Sequence, residues 1–491
     1  MSELRDDNIE AVAADIKRRF SPRSKLFMSA VFIAADLLAV MCCFAFGFFI
    51  VRVFGVRLNT DWVINFKSFV TYWPYLPAFI VIFYVLHLYP GLSLPPAEEL
   101  RRYTIASFFS HASIILALYI EVRKVDSYSL AFAISWLGSV PALFVARAAA
   151  RAVFRGAPWW GTPAVIFGAG KTGRMITDRL LAHPAIGYVP AVLLDDDPRL
   201  AGEYRGVPIL TGTDLGMTLA ERGRIDTAIV AMPGVERGRL AAIIADSVRS
   251  FRHYVLIPDL FGMTSGWMSV RDIDGILGVS TTQRLLLPSS WRIKRILDIL
   301  MTTLGGILAL PFIGLLALLV KLDSPGPAFY GHHRLGKDGV PFKAWKFRSM
   351  IKDSGEVLEN LLATDPGVKA EWEASFKLKN DPRVTLMGRF LRRTSLDELP
   401  QVWNVLRGEM SLIGPRPIIE AEVPKYGHYY KLFASVKPGM SGLWQVSGRS
   451  DTDYDERVAL DVYYIQSWSL WLDMYILFKT VRVAVGGDGA Y

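Results

Sequence analysis

Hydrophobic and polar positions fall into three regimes along the chain. A polar segment, residues 1–25, precedes four apolar stretches at about 26–51, 69–89, 104–120 and 129–149. As a helix, each covers ~30 Å of hydrocarbon, which predicts a four-helix transmembrane bundle over 26–150. From Pro163 the pattern changes to short apolar runs at 164–167, 191–194, 227–230 and 254–257, separated by helical patterns. Strands alternating with helices predict βαβ units and a parallel sheet, here a Rossmann-like α/β domain over 160–261. Residues 262–290 read as a linker with short strands. A further apolar run, 296–320, carries one acid, Asp298, and opens a third region, 291–491, of otherwise soluble composition.

Charge then orients the bundle. With the N-terminus inside, inner segments hold eleven Lys and Arg and outer loops hold five. The positive-inside rule places both ends of the bundle in the cytoplasm. The run at 296–320 has basic flanks on both sides and Pro311 in its interior, after Gly305-Gly306. Proline removes a helix hydrogen bond and clashes with the preceding turn. With both flanks inside, the segment is expected to enter and leave on one face, as a re-entrant helix over 292–321 broken at Pro311. A fifth, kinked transmembrane helix is the competing reading.

Composition narrows the class. The 491 residues carry a net charge of +9 with 52% hydrophobic and 21% charged positions, and the mean hydropathy is +0.29. That excludes a disordered chain. A basic, apolar chain suits an anionic lipid surface or phosphate-bearing substrates. No zinc-finger or helix-turn-helix pattern supports nucleic acid as a partner. Cys42 and Cys43 are adjacent and form neither a disulfide framework nor a metal cage.

The chemistry concentrates between 340 and 450. In Arg392-Arg393-Thr394-Ser395-Leu396-Asp397-Glu398-Leu399-Pro400, two bases precede two acids. A capping box from Ser395 to Glu398 would put Pro400 beyond the first helical turn, where proline fits badly. The acids are therefore expected at the entrance of the helix that follows, where the dipole favours a carboxylate and bound phosphate. An ionised Asp can attack phosphorus and form an acyl phosphate, and cations must then neutralise the phosphates. Lys346 and Arg348 share one face of an alternating strand. Arg416 sits in the rigid Gly-Pro-Arg-Pro loop, and Lys437-Pro-Gly-Met-Ser-Gly442-Leu-Trp-Gln445-Val-Ser-Gly-Arg449 is a basic, glycine-rich turn suited to a nucleotide.

The runs KFRSM, KLKNDPRVTLMGRFLRRTSLDELPQVWNVLRGEMSLIGPRP and KPGMSGLWQVSGR resemble those of the bacterial polyprenyl-phosphate phosphoglycosyl transferases. Residues 291–491 resemble the catalytic domain of that monotopic superfamily. The whole layout resembles its large members, the WbaP-like undecaprenyl-phosphate galactose phosphotransferases. The resemblance implies Asp397 as nucleophile on the β-phosphorus of a UDP-sugar, with UMP released, and Glu398 assisting. It implies Mg²⁺ at Asp397, Arg392 on undecaprenyl phosphate, and Lys346, Arg348 and Arg416 on substrate phosphates. Gly442, Gln445 and Arg449 fall on the nucleotide side, and Pro311 at the re-entrant break, where the family's preceding Ser is Leu310 here. The product would be a lipid-linked hexose-1-phosphate, galactose before glucose, as the first step of cell-surface polysaccharide synthesis. The enzyme would lie in the bacterial inner membrane with its site at the cytoplasmic face, as a homodimer.

Gly168, Gly170 and Gly173 follow a strand and open a helix, and Asp195 comes 22 residues after Gly173. That is the context of a dinucleotide fingerprint. It leaves open an NAD-like nucleotide in this domain, and a membrane-tethered NAD(P)-dependent nucleotide-sugar enzyme as an alternative. Short-chain dehydrogenases need Tyr-x-x-x-Lys, and the one such pair here, Tyr475 and Lys479, falls outside the sheet. The domain therefore reads as structural or regulatory.

Overall fold

The computed structural model describes residues 10, 12–14, 16–18, 24–57, 73–91, 94–123, 126–157, 159–223, 225–257, 268–273, 276–281, 285, 287–365, 367, 369, 378, 381–447 and 454–486. The chain divides into two compact units, Met1–Gly262 and Met263–Tyr491.

The first unit opens with helices α1 (Ser24–Arg57), α2 (Leu76–Val85), α3 (Pro96–Val122) and α4 (Ser127–Phe154). α1, α3 and α4 are long and apolar enough to cross a membrane. α2 is shorter than the 69–89 run suggested. It spans 10 residues, begins with a proline in its first turn, and gives way at Leu86 to a left-handed His87 (φ 56°). Residues 58–72 lie outside the described ones. α1 and α4 meet closely because Gly47 lies against the main chain of Ala131 and Ser135, leaving no room for a side chain. Small residues serve this purpose where lipid supplies no hydrophobic drive. Phe44 and Phe48 then pack edge-on against Phe132, with centroids 4.9 and 5.6 Å apart.

A charged network is buried in this helical part. Arg147 donates through Nε to Asp36 Oδ1 (2.9 Å) and through Nη2 to Asp36 Oδ2 (2.6 Å). Its Nη1 reaches Glu99 at 2.8 Å, and Arg151 reaches the same carboxylate at 2.5 Å. The Tyr89 hydroxyl donates to Asp36 at 2.9 Å. α1, α3 and α4 are thus tied by charges that are all paired, the condition for keeping ions in a low dielectric.

The sheet follows: β1 (Thr162–Phe167), α5 (Lys171–Ala182), β2 (Tyr188–Asp195), β3 (Gly202–Tyr204), β4 (Val207–Thr211), α6 (Leu215–Gly223), β5 (Thr227–Val230), α7 (Arg237–Asp246) and β6 (His253–Leu256). Strand order is β3-β4-β2-β1-β5-β6, and every neighbouring pair is parallel except β3 with β4. The chain reverses its lateral direction beside β1, where open α/β sheets form a crevice. The polar N-terminal segment is part of this unit. Its described residues between 10 and 18 are helical, Ala13 and Ile16 are buried in the core under the sheet, and Glu10 pairs with Arg222.

The second unit starts with the antiparallel pair β7 (Met268–Ile273) and β8 (Ile276–Thr281), within the expected linker. Helix α8 (Pro288–Asp323) follows as 36 continuous residues with Pro311 inside. The proline removes one hydrogen bond without ending the helix. Lys294, Asp298 and Thr302 near one end, and Leu316 and Val320 near the other, are buried against this same unit. Between them Leu304, Ile307, Leu308 and Leu310 are 59, 64, 83 and 69% exposed. The soluble part comprises the hairpin β9 (Phe329–Leu335) and β10 (Pro341–Phe347), helix α9 (Leu386–Thr394), a 3-10 turn (Leu396–Gln401) and α10 (Val402–Arg407). It also contains helices Ser354–Thr364, Val423–Tyr426 and Tyr430–Ala434, the parallel pair β11 (Ser411–Ile413) and β12 (Gly439–Ser441), and helices α11 (Tyr454–Gln466) and α12 (Leu470–Gly486).

Asp461 of α11 is buried, accepts the Tyr426 hydroxyl at 2.8 Å, and keeps its other oxygen without a hydrogen-bond partner. Burial pushes its carboxyl up to about 7, against partial relief from Tyr426 and Arg457.

Two stability predictions follow from these buried groups. Arg147→Ala strands Asp36 and leaves Glu99 to Arg151 alone, and is expected to cost about 3–5 kcal/mol, whereas replacing Arg147, Asp36 and Glu99 together by apolar residues of similar size costs far less. Thermal unfolding of the detergent-purified chain compares the two. Because Asp461 is raised in the fold, the stability it contributes falls as pH climbs from the ordinary 3.8 to about 7. Asp461→Asn should therefore raise the unfolding temperature at neutral and alkaline pH, with the difference vanishing in acid.

Candidate active site

Two carboxylates stand on the 3-10 turn between α9 and α10. Thr385 caps the start of α9 by accepting from the Gly388 N–H at 3.0 Å. α9 ends at Ser395, whose backbone is left-handed (φ 55°). Leu396 and Leu399, three apart and so on one edge of the turn, pack with Leu316, Val320, Phe347 and Leu391. That anchoring leaves Asp397 and Glu398 toward β10. Ser395 makes no side-chain cap, so the capping box is absent and the acids lie at the entrance of α10.

Cations converge on the pair. Lys346 of β10 donates to Glu398 Oε1 at 2.6 Å and lies 3.5 Å from Asp397 Oδ2. Arg392, at the end of α9, is held by the Ser349 hydroxyl at 2.9 Å and acts electrostatically on Asp397. Arg334 and Arg416 act on Glu398, and Arg334 lies 3.7 Å from Glu422. Burial raises the Asp397 carboxyl above its usual range, and Lys346 and Arg392 offset that only in part. Burial also opposes the charge on Glu398, but the Lys346 ammonium, with Arg416 and Arg334 behind it, wins and holds that carboxyl low. One acid is thus firmly ionised and its neighbour is a destabilised anion.

The Arg416 loop and the turn carrying Gly442 and Gln445, expected on the nucleotide side, meet at Trp444. The Arg416 and Arg457 guanidinium carbons lie 5.3 and 4.4 Å from its ring centroid. Gly442 is needed because a Cβ there would come 2.5 Å from the Gly414 carbonyl. This close approach, with the β11–β12 pairing, locks the Arg416 loop to the turn carrying Trp444 and Gln445. Arg449 lies outside the described residues. The basic turn is divided: Lys437 lies over Trp291 at 5.3 Å, away from Trp444.

Arg348 is not with the carboxylates. It donates to the carbonyls of Ser324 (2.5 Å) and Pro325 (2.9 Å) and to the Ser324 hydroxyl (2.9 Å), closing the end of α8. It follows the last residue of β10, so alternation along the strand no longer sets its direction. Arg334, Arg457 and Asp461 were not singled out from sequence. Arg334 shares a sheet face with Lys346 through the β9–β10 register, in which Arg334 lies opposite Phe342 and Tyr330 opposite Lys346.

In the first unit, Gly168, Gly170, Gly173 and Asp195 do come together. Gly168 has φ +103°, Gly170 precedes α5, and Gly173 abuts the Gly168 carbonyl with no space for a side chain. Asp195 accepts the N–H groups of Ala169 (2.7 Å) and Asp197 (3.0 Å) and so braces the loop. A groove of about 800 Å³ beside it is lined by Gly170, Lys171, Arg174, Arg179 and Tyr204.

Residues 289–487 match the family described as bacterial sugar transferase, and 91–258 that described as CoA-binding domain. The chain is 39% identical over 366 residues to the UDP-galactose-lipid carrier transferase of Erwinia amylovora, covering 73% of this chain and 75% of that one. It is 40% identical over 335 residues to the undecaprenyl-phosphate galactose phosphotransferase of Salmonella typhimurium, with 68% and 70% covered. The UDP-glucose:undecaprenyl-phosphate glucose-1-phosphate transferase of Escherichia coli is 38% identical over 280 residues, 55% of this chain and 57% of its own. The chain therefore belongs to the bacterial sugar transferases, as an enzyme of the large, WbaP-like type.

Proposed function

We propose that this enzyme transfers hexose-1-phosphate from a UDP-sugar to undecaprenyl phosphate through a phosphosugar carried on Asp397. The observation that carries the reading is the pairing of a destabilised Asp397 anion with an ionised Glu398 under Lys346, Arg392, Arg334 and Arg416. The ionised Asp397 attacks the β-phosphorus. The bond from that phosphorus to the bridging oxygen breaks, and UMP leaves with the electron pair. A phosphate oxygen of undecaprenyl phosphate then attacks the same phosphorus, and the bond to Asp397 breaks to regenerate the carboxylate. The cations compensate charge on the phosphates in both steps.

Among the described residues no group of three or more His, Cys, Asp or Glu forms a metal cage. Adjacent Asp397 and Glu398 nevertheless fit Mg²⁺, which takes one or two carboxylates and leaves its other positions to phosphate and water. Bound there, Mg²⁺ would neutralise diphosphate charge.

Galactose is the favoured sugar, because the Erwinia amylovora and Salmonella typhimurium relatives named for galactose share more of their length with this chain than the Escherichia coli relative named for glucose. A re-entrant α8 is supported by burial of both its ends on one unit. A spanning helix would place those ends on opposite faces of the bilayer, where one soluble unit could not cover both. Together with the basic-residue asymmetry, this supports a site at the cytoplasmic face of the inner membrane. A homodimer and a first step in cell-surface polysaccharide synthesis belong to the same proposal. The braced glycine loop and its groove favour a nucleotide in the first unit. Were that nucleotide a nicotinamide used for catalysis, purified chain given a UDP-sugar would change absorbance at 340 nm.

Two outcomes test the transfer reading. Purified wild type should release UMP from UDP-galactose before any acceptor is added, and Asp397→Asn should lower turnover by about 10³-fold or more. A fully active Asp397→Asn would end the covalent scheme. The acid limb of UMP release should reflect a carboxyl above the ordinary 3.8. Lys346→Gln removes the nearest cation, so that limb should move to higher pH, as read from kcat/KM profiles.

A further inference from the structure

A second cationic cavity lies in the second unit, at the start of α8. It encloses about 270 Å³. Its walls carry Lys294, Arg295, Lys337 and Lys437 and a single acid, Asp298. Lys294 is neutralised by Asp473 at 2.7 Å. Asp298 is committed to the Ser411 hydroxyl (2.7 Å) and the Leu412 N–H (3.1 Å). Arg295 gives two of its five N–H donors to the Val405 and Leu406 carbonyls, at 2.6 and 2.9 Å, which bring no negative charge. Lys437 makes no salt bridge among the described residues and rests over the Trp291 ring at 5.3 Å. The cavity therefore holds excess positive charge.

Two of these cations are forced together. A Cβ built on Gly408 would meet Arg295 Nη2 at 3.1 Å and Lys437 Nζ at 3.3 Å. The two nitrogens are thus at most about 6 Å apart, a gap that one phosphate bridges with two charge-assisted hydrogen bonds of about 2.8 Å. Burial and the Arg295 charge together hold the Lys437 ammonium below its usual range, a penalty that an anion between them would relieve.

The cavity is separate from the carboxylate pair. Arg295 grips the last turn of α10, whereas Asp397 precedes its first turn. Lys337 lies in the turn of the hairpin, whereas Lys346 stands five residues along β10 from Pro341, about 16 Å away at 3.3 Å per residue. Its depth is set by α8. Trp291, Ile293 and Ile296 are 42, 51 and 65% exposed where the helix's apolar run begins. Tryptophan at such a boundary marks the headgroup level of a bilayer.

We infer that this cavity binds a phosphate-bearing anion at the membrane boundary, held between Arg295 and Lys437 with Lys337 at its mouth. A phospholipid headgroup and free phosphate share that chemistry. The test uses the full chain in phosphatidylcholine nanodiscs. One arm adds inorganic phosphate against chloride at equal ionic strength and reads the unfolding temperature. The other adds phosphatidylglycerol to the nanodiscs and reads, by native mass spectrometry, how much is retained on the protein relative to phosphatidylcholine. A phosphate shift alone assigns a soluble anion, and selective phosphatidylglycerol retention assigns a headgroup. Either response should fall several-fold in Lys437→Gln and in the surface variant Lys337→Gln, which leaves the core intact. It should persist in Lys437→Arg and in Arg416→Gln, which alters the carboxylate site instead. The inference is overturned if wild type shows neither response, or if both glutamine variants respond as wild type does.

Discussion

An ammonium shared between two adjacent carboxylates is the contact on which the rest of the catalytic unit depends. The proposed attack on phosphorus needs an ionised carboxylate, and a half-buried ion is costly unless opposite charge stands beside it. Lys346 meets that need unequally. It lies 2.6 Å from Glu398 but 3.5 Å from Asp397, so Glu398 takes most of the compensation. Asp397 is left as the less compensated anion. The asymmetry requires the turn to be fixed to within fractions of an ångström. Leu396 and Leu399 supply this by packing against the same cluster that buries Leu316 and Val320 of α8. The helix that meets the lipid and the turn that carries the acids are thus one packed body, and the depth of the first sets the height of the second.

Arg348 belongs to the same logic although it touches neither carboxylate. The last carbonyls of a helix have no partner within it. At the end of α8 the chain must leave an apolar helix and enter β9, and Arg348 satisfies the Ser324 and Pro325 carbonyls there. Substituting it would loosen the seam between α8 and the hairpin that presents Lys346. An effect of Arg348 on turnover would then come through position, not through contact with a phosphate.

Much of the architecture was legible because it rests on periodicity. Runs of four apolar residues between helical patterns became the buried strands β1, β2 and β5, and glycine spacing after β1 became a tight loop braced by Asp195. Adjacent acids and bases marked the carboxylate site, since charged groups so dense are rarely left without partners. What escaped depends on contacts distant in sequence. The buried placement of Ala13 and Ile16 is visible only once the sheet exists to cover them. Arg334 joins the site through strand register, which one strand's sequence does not specify. Alternation gave Arg348 a face but not a partner. The run at 69–89 was read by hydropathy alone, which does not register where prolines and a left-handed residue limit a helix to 76–85.

The division of the basic turn explains why a cluster of cations in sequence is poor evidence for a single anion site. Residues 437–446 run through β12 (Gly439–Ser441) into a 3-10 turn, and Gly439 and Gly442 press the strand against the Gly414 loop. A strand fixed by backbone contact along the Gly414 loop has little freedom to gather its side chains at one point. Lys437 is therefore delivered to Arg295 and Trp291 at the foot of α8, and Trp444 to Arg416 and Arg457. The glycines that make the stretch look like a phosphate cradle are used up by this packing. Their contribution is to hold two cationic surfaces at a fixed separation, one toward the carboxylates and one toward the lipid boundary.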